Sequence, residues 1–201
     1  GIFSNLGYTL SEDHLYVKTD LFANYLFDLI AEQHGTYTYQ DENGNVSQRD
    51  ALINTNIDKA LFLGGEIELQ WKINPVFSMM TNFSYTQGRN IDKDAFLPQI
   101  PPMNGLFSVN YHQKELIDIS FSALWAARQG DVAPGENPTA GHLIFNADVH
   151  TEKLSMNRNY LQFFAGIENI FDKAYYNHLS TTRGILRLEP GRNIYVKAQL
   201  G

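Results

Sequence analysis

Leu61-Phe62-Leu63-Gly64-Gly65-Glu66-Ile67-Glu68-Leu69-Gln70-Trp71-Lys72 is the stretch that decides the fold. Leu61, Leu63, Ile67, Leu69 and Trp71 share one parity, while Glu66, Glu68, Gln70 and Lys72 share the other. A period of two is that of a β-strand, whose successive side chains point to opposite faces. Such a strand has one apolar and one wet face. In a soluble sheet the apolar face would meet a core; in a membrane barrel it would meet lipid, with Trp71 as an interfacial anchor.

The pattern recurs outward from this segment. Val17, Leu21, Ala23, Tyr25, Phe27 and Leu29 alternate with Lys18, Asp20, Asn24 and Asp28, and Phe77, Met79, Phe83 and Tyr85 alternate with Ser78, Asn82, Ser84 and Thr86. Phe107, Val109 and Tyr111 make a shorter copy. Ile117, Ile119, Phe121, Ala123 and Trp125 oppose Asp118, Ser120 and Ser122; Leu143, Phe145, Ala147 and Val149 oppose His142, Asn146, Asp148 and His150. Residues 160–171 and 191–201 complete a set of about eight strands. No segment carries the 3.6-residue period of a helix, so the fold expected is all-β, an antiparallel transmembrane β-barrel meander. Short turns at 74–75, 113–115 and 155–158 alternate with long loops near 34–57, 89–102, 130–140 and 172–190, as they must when hairpins weave between two membrane faces. In bacterial barrels the short turns are periplasmic.

Composition agrees with this reading. The chain has 13 Phe, 11 Tyr and 2 Trp but only 18% charged residues, a mixture expected of aromatic girdles around a polar lumen. The absence of cysteine excludes a disulfide framework, a thiolate metal cluster and a thiol nucleophile. A net charge of -7 without a basic stripe argues against nucleic-acid binding. No apolar run reaches the roughly 20 residues of a spanning helix, and Gly1-Ile2-Phe3-Ser4 opens no export signal. The expectation is therefore a segment beginning part-way through an exported protein.

Near the C-terminus stand Gly166-Ile167-Glu168-Asn169-Ile170-Phe171-Asp172-Lys173-Ala174-Tyr175 and Pro190-Gly191-Arg192-Asn193, followed by a closing alternating strand. This resembles the TonB-dependent receptors, whose penultimate strand typically ends in Asn-Leu-Phe-Asp-Lys-x-Tyr and whose last strand opens with Pro-Gly-Arg. Gly64-Gly65-Glu66-Ile67-Glu68-Leu69 and Leu97-Pro98-Gln99-Ile100-Pro101-Pro102 are similar to two further segments of that family. The resemblance implies that residues 1–201 are the C-terminal portion of a 22-stranded barrel, with the plug domain and N-terminal strands lying outside the chain. It also implies an outer-membrane receptor for TonB-dependent uptake of a metal chelate, such as a ferric siderophore or haem, with no reaction catalysed and no cofactor. The partners implied are the TonB complex, the ligand, outer-membrane lipid and the barrel-assembly machinery. An independent small barrel with a structural or adhesive role is the alternative, and it requires the first and last strands to pair.

The motif residues have a simpler role first. Pro190-Gly191 is turn chemistry, and Asn169 and Asp172, where strand meets loop, can satisfy backbone donors locally. Ligand contact is expected instead from groups on the long-loop side: His34, Met103, Arg128, Glu136, His142, His178 and Arg183, which offer cationic, anionic and soft atoms to a metal complex. His14, His112 and His150 fall near the opposite end. No two of the six His have the close spacing of a local metal motif, so a metal site would have to be assembled across strands, and its ligands stay unassigned. Ser180 beside His178 is too slight a basis for a hydrolase triad. The family's last strand usually closes on Phe or Trp, one outward position beyond Leu200. The natural protein is accordingly expected to continue with an aromatic residue at the next position, which sequencing of the full gene checks; a gene ending at Gly201 contradicts it.

Overall fold

The structure, a computed structural model, describes residues 1–114, 116–156, 159–182 and 185–201, with backbone alone at 34, 156, 181, 182 and 185. The strands are β1 (Ile2–Ser11), β2 (Leu15–Gln40), β3 (Val46–Lys72), β4 (Phe77–Asn90), β5 (Ala95–Phe96), β6 (Asn104–Gln113), β7 (Ile117–Ala126), β8 (His142–Thr151), β9 (Leu154–Met156), β10 (Asn159–Glu168), β11 (Tyr176–Thr182), β12 (Ile185–Leu188) and β13 (Asn193–Leu200). No helix occurs among the described residues. The main sheet runs β1-β2-β3-β4-β6-β7-β8-β10-β13, every neighbour antiparallel, with β5 and β9 as short side pairs and β11–β12 as a separate hairpin. It is an up-and-down meander. Within the described residues β1 pairs β2 and β13 pairs β10, at opposite edges of the sheet, so the closure that a small independent barrel requires is not found.

Register confirms the two faces. Thr19, Ile67, Phe83, Gly105, Trp125 and Leu143 stand opposite one another across six strands, and Val17, Leu69, Thr81, Phe107, Ala123 and Phe145 form the row below. Ile67, Phe107 and Leu143 are exposed although apolar, which suits a face turned to lipid. The opposite face carries Lys18, Glu68 and Asn82 in one row and Gln70, Met80, Ser108, Ser122 and Asn146 in another. Lys18 pairs with Asp20 at 3.0 Å, and Gln70 donates to Glu68 at 2.7 Å. These are wall-lining polar groups of the kind a water-filled lumen accommodates.

Three expectations need correction. The long loop near 34–57 is instead a continuation of β2 and β3, paired residue by residue up to Gln40–Val46 and closed by a turn in which Asp41 accepts from the Asn43 and Asn45 amides. Its strands of 26 and 27 residues are more than twice the 9–11 or so needed to cross a bilayer. Secondly, β1 joins the meander as a ninth strand on the main path, putting Ile2, Leu6, Tyr8 and Leu10 in line with the outer row of β2. Thirdly, Leu29 leaves the outer row. Asp28 adopts a left-handed φ of 55°, which interrupts the alternation, and Leu29 packs with Leu26, Ala31 and Phe62 against Ile57, Ala60, Leu97 and Ile100. The 155–158 turn is β9 strand at its start, and residues 157 and 158 lie outside the described set, as does 115.

Two glycines let side chains cross the wall surface. A Cβ at Gly64 would come within 2.4 Å of the Tyr85 carbonyl and within 2.3 Å of the Phe22 ring. At Gly105 it would meet the Asn82 carbonyl at 2.5 Å and Trp125 at 2.8 Å; over this bare strand the rings of Phe83 and Trp125 approach to 6.0 Å. Because the obstructing atoms include backbone, relief requires the ladder itself to shift. Gly105→Ala is expected to destabilise the barrel by roughly 1–3 kcal/mol, read as a lower urea midpoint in the unfolding of the full-length protein in detergent; an unchanged midpoint would contradict the close packing.

Candidate ligand site at the long-loop end

The long connections 91–103, 127–141 and 169–192 gather at one end of the sheet. Their packing starts from Leu97 and Ile100, which are 2% and 7% exposed and sit above Gly88. The Leu97 amide donates to the Gly88 carbonyl at 3.0 Å. Burying two such aliphatic side chains contributes roughly 1.5–3 kcal/mol each, enough to hold the Pro-rich segment on the wall. Gln129 then donates through Nε2 to the Ile100 carbonyl at 2.8 Å and exchanges two 3.0 Å backbone bonds with Thr139. Loop 127–141 is thus stapled to loop 97–102.

Glu136 completes the staple. Its Oε1 accepts from the Gln99 amide at 2.9 Å and its Oε2 from the Ala133 amide at 3.0 Å. His178, only 2% exposed, reaches Thr139 Oγ1 with Nδ1 at 3.2 Å. Its Nε2 lies 3.3 Å from Glu136 Oε1, close enough for ionic attraction though outside hydrogen-bond angles. Burial pushes the Glu136 carboxyl up, but His178 and the two amides outweigh it and hold the carboxyl below its ordinary value.

Two clefts flank this staple. Above the last β4–β6 pair, Ser84–Asn104, strand β4 continues without β6. The gap is a cleft of about 540 Å³ lined by Tyr85, Gln87, Met103, Arg128 and Asp131 among others. The second, of about 260 Å³, is lined by Leu124, Ala126, Thr139, His142, Asn177 and His178. His142 rests on the Tyr175 ring at 4.4 Å, and its Nδ1 is buried with no hydrogen-bond partner. The structure therefore brings Met103 together with Arg128, and His142 with His178 and, through it, Glu136. His34 stands opposite Leu52 in the long β2–β3 hairpin. Arg183 lies outside the described residues.

Sequence reasoning did not single out Gln129 or Thr139, which are 7% and 5% exposed; neither lies in a strand or a motif, and only the loop contact reveals them. Asn169 acts locally as expected, whereas the Asp172 side chain reaches across the connection to Arg192. Asn169, at φ 50°, accepts from the Lys173 amide at 2.8 Å and donates to the Lys173 carbonyl at 2.9 Å, and Asp172 accepts from the Arg192 amide at 2.8 Å. Together they tie the two ends of the 169–192 connection.

Linkage gives the staple a pH dependence. A carboxyl held below its ordinary value of 4.5 contributes stability above that pH and loses it as pH falls through the lower folded-state value. Glu136→Ala should speed hydrogen exchange at the Gln99 and Ala133 amides roughly tenfold at neutral pH. In the unsubstituted protein the same amides should lose protection only in acid below 4.5; equal protection in both proteins at neutral pH would show that the carboxylate does not hold the loops.

Comparison with known proteins places this arrangement. The family described as TonB dependent receptor-like, beta-barrel matches residues 4–170. Among solved structures, the copper transporter OprC aligns with a TM-score of 0.77 at 22% identity over 96% of this chain. The siderophore receptor PirA from Acinetobacter baumannii aligns at 0.69 and 20% over 98%, and the FrpB iron transporter from Neisseria meningitidis at 0.70 and 14% over 98%. A search of curated protein sequences gave no match. The chain spans 30%, 31% and 30% of those three structures. With the family matched over most of its length, the chain belongs to the TonB-dependent receptor β-barrel family of the bacterial outer membrane.

Proposed function

We propose that this chain is the C-terminal portion of the barrel of a receptor that takes up a metal chelate, a ferric siderophore or haem, at the expense of energy delivered by the TonB complex. The plug and the remaining strands belong to the rest of that receptor, and TonB engages it outside these residues. The single observation that carries the reading is the clustering of the long connections at one end, where Met103 and Arg128 share one cleft and His142 and His178 line the other. A polar, loop-built mouth offering cationic, thioether and imidazole groups suits an anionic or metal-bearing ligand. The structural neighbours titled as a copper transporter, a siderophore receptor and an iron transporter support the same class of cargo.

In this reading Arg128, exposed at the cleft, meets a carboxylate or phenolate of the chelate; His142 and Met103 meet the metal or its organic shell. Glu136 and His178 set the shape of the mouth, and His34 and Arg183 are further ligand contacts in this reading. Lipid contacts the outer row, and the barrel-assembly machinery reads the last strand. The function is transport, with no chemical step.

Uptake of labelled ferric siderophores, haem, cobalamin and copper is to be compared in cells with the full-length gene, without it, and without TonB. One metal chelate should enter only when gene and TonB are both present, and Arg128→Ala should raise the half-saturating concentration about tenfold with surface expression unchanged. If uptake of none of them depends on the gene, metal-chelate transport is refuted.

A further inference from the structure

At the end of the sheet opposite the long loops, three strands bring unlike donors together on the lumen-side face. His112 on β6 and Asp118 on β7 are directly opposed, and Asp118 is directly opposed to His150 on β8. His112 Nδ1 contacts Asp118 Oδ1, while His150 Nε2 lies 3.1 Å from Asp118 Oδ2. One carboxylate thus engages two imidazoles at once, each oxygen committed to one ring. Glu152, just past the end of β8, adds a second carboxylate: ligand atoms of His112, Asp118 and Glu152 all lie within 4.8 Å of one another. The Phe164 ring stacks on the His150 imidazole at 5.6 Å and limits its rotation.

We propose that His112, Asp118 and Glu152 form a binding site for a divalent first-row transition-metal cation on the lumen wall at the short-turn end, with His150 holding the Asp118 carboxylate in place. Two carboxylates this close repel unless a positive charge stands between them. Imidazole and carboxylate together select borderline ions such as Zn²⁺, Ni²⁺ or Cu²⁺ over the all-oxygen preference of Ca²⁺ and Mg²⁺. Metal–ligand bonds of about 2.0–2.2 Å put tetrahedral donors roughly 3.3 Å apart. Closing from at most 4.8 Å to that spacing is within the reach of side-chain rotation for the solvent-accessible His112 and the half-buried Asp118 and Glu152. The backbone does not have to move, because the β6–β7–β8 ladder already fixes the register of the three strands. Where the ion displaces a proton shared between Asp118 and an imidazole, that proton passes to solvent.

The site is separate from the long-loop clefts, so it stands or falls independently of the cargo. By the polarity of the family it lies at the periplasmic rim, where it would meet an ion from the periplasm or from within the barrel.

The test is calorimetric titration of the full-length receptor in detergent with Zn²⁺. The unsubstituted receptor should bind one equivalent that Asp118→Asn and the double substitution His112→Ala with His150→Ala each remove or weaken more than about tenfold. His14→Ala, at the same rim outside the cluster, should leave that equivalent intact. Folding of each variant is checked by resistance to heat and detergent on gels. Should a variant not fold, Co²⁺ absorption of the unsubstituted receptor decides instead: intense bands of a four-coordinate nitrogen–oxygen site support the proposal, and the weak bands of hydrated Co²⁺ overturn it. Folded variants that titrate like the unsubstituted receptor, or a receptor that takes up no Zn²⁺, overturn it equally.

Discussion

Backbone hydrogen bonding is the constraint on which the rest depends. In hydrocarbon a peptide N–H or C=O has no water to turn to, and each unpaired group costs several kcal/mol. The chain meets this demand strand against strand: from β1 through β13 each member of the main path lies antiparallel to its neighbours, and the β2–β3 and β3–β4 registers run almost unbroken for their whole lengths. The main path has β1 and β13 as its two edge strands, and these expose Leu6 and Val196 at 72% and 79%. Such edges are sites of further pairing.

Once the ladder fixes register, side chains can specialise by parity. The lipid-facing rows supply bulk without a packed core, which is why the protein has few fully buried apolar groups and many exposed ones. Close packing is confined to places where strands leave room. Phe83 and Trp125 meet over Gly105, and Leu97 and Ile100 settle above Gly88. The second contact is the more consequential, because it anchors the loop to which Gln129 and Glu136 then attach. Loop order at the mouth is thus inherited from a small apolar cluster at the top of the wall, with polar contacts added to it.

The alternation in residues 61–72 was legible because one side of that strand meets an apolar medium and the other a polar one. Where that contrast ends, so does the signal. The upper halves of β2 and β3 hold polar residues such as Glu32, Thr36, Gln48 and Asn54 on a hairpin exposed on both faces, and only the backbone ladder keeps them extended. They consequently read as a loop. In β1, Phe3 and Ser4 each take the parity opposite to their character, which hid a strand whose outer row of Ile2, Leu6, Tyr8 and Leu10 is otherwise regular. Leu29 failed for a third reason, a single left-handed residue at Asp28 that no hydropathy pattern records.

Site geometry was legible only to the extent that sequence distance predicts register. The role of Asn169 followed from local chemistry, whereas the bond of Asp172 to the Arg192 amide spans the whole connection. His112 and Asp118 face each other across a tight turn, so their pairing was within reach of the hairpin pattern. His150 was not, because the 127–141 connection between β7 and β8 leaves the offset of the two strands free until the ladder sets it. The same holds for Glu136 and His178, which meet through loops that carry no periodicity. In a meander, chemistry that spans a short turn can be anticipated from the chain, whereas chemistry that spans a long one depends on register. That is why two histidines that looked unrelated by spacing flank one carboxylate on the wall.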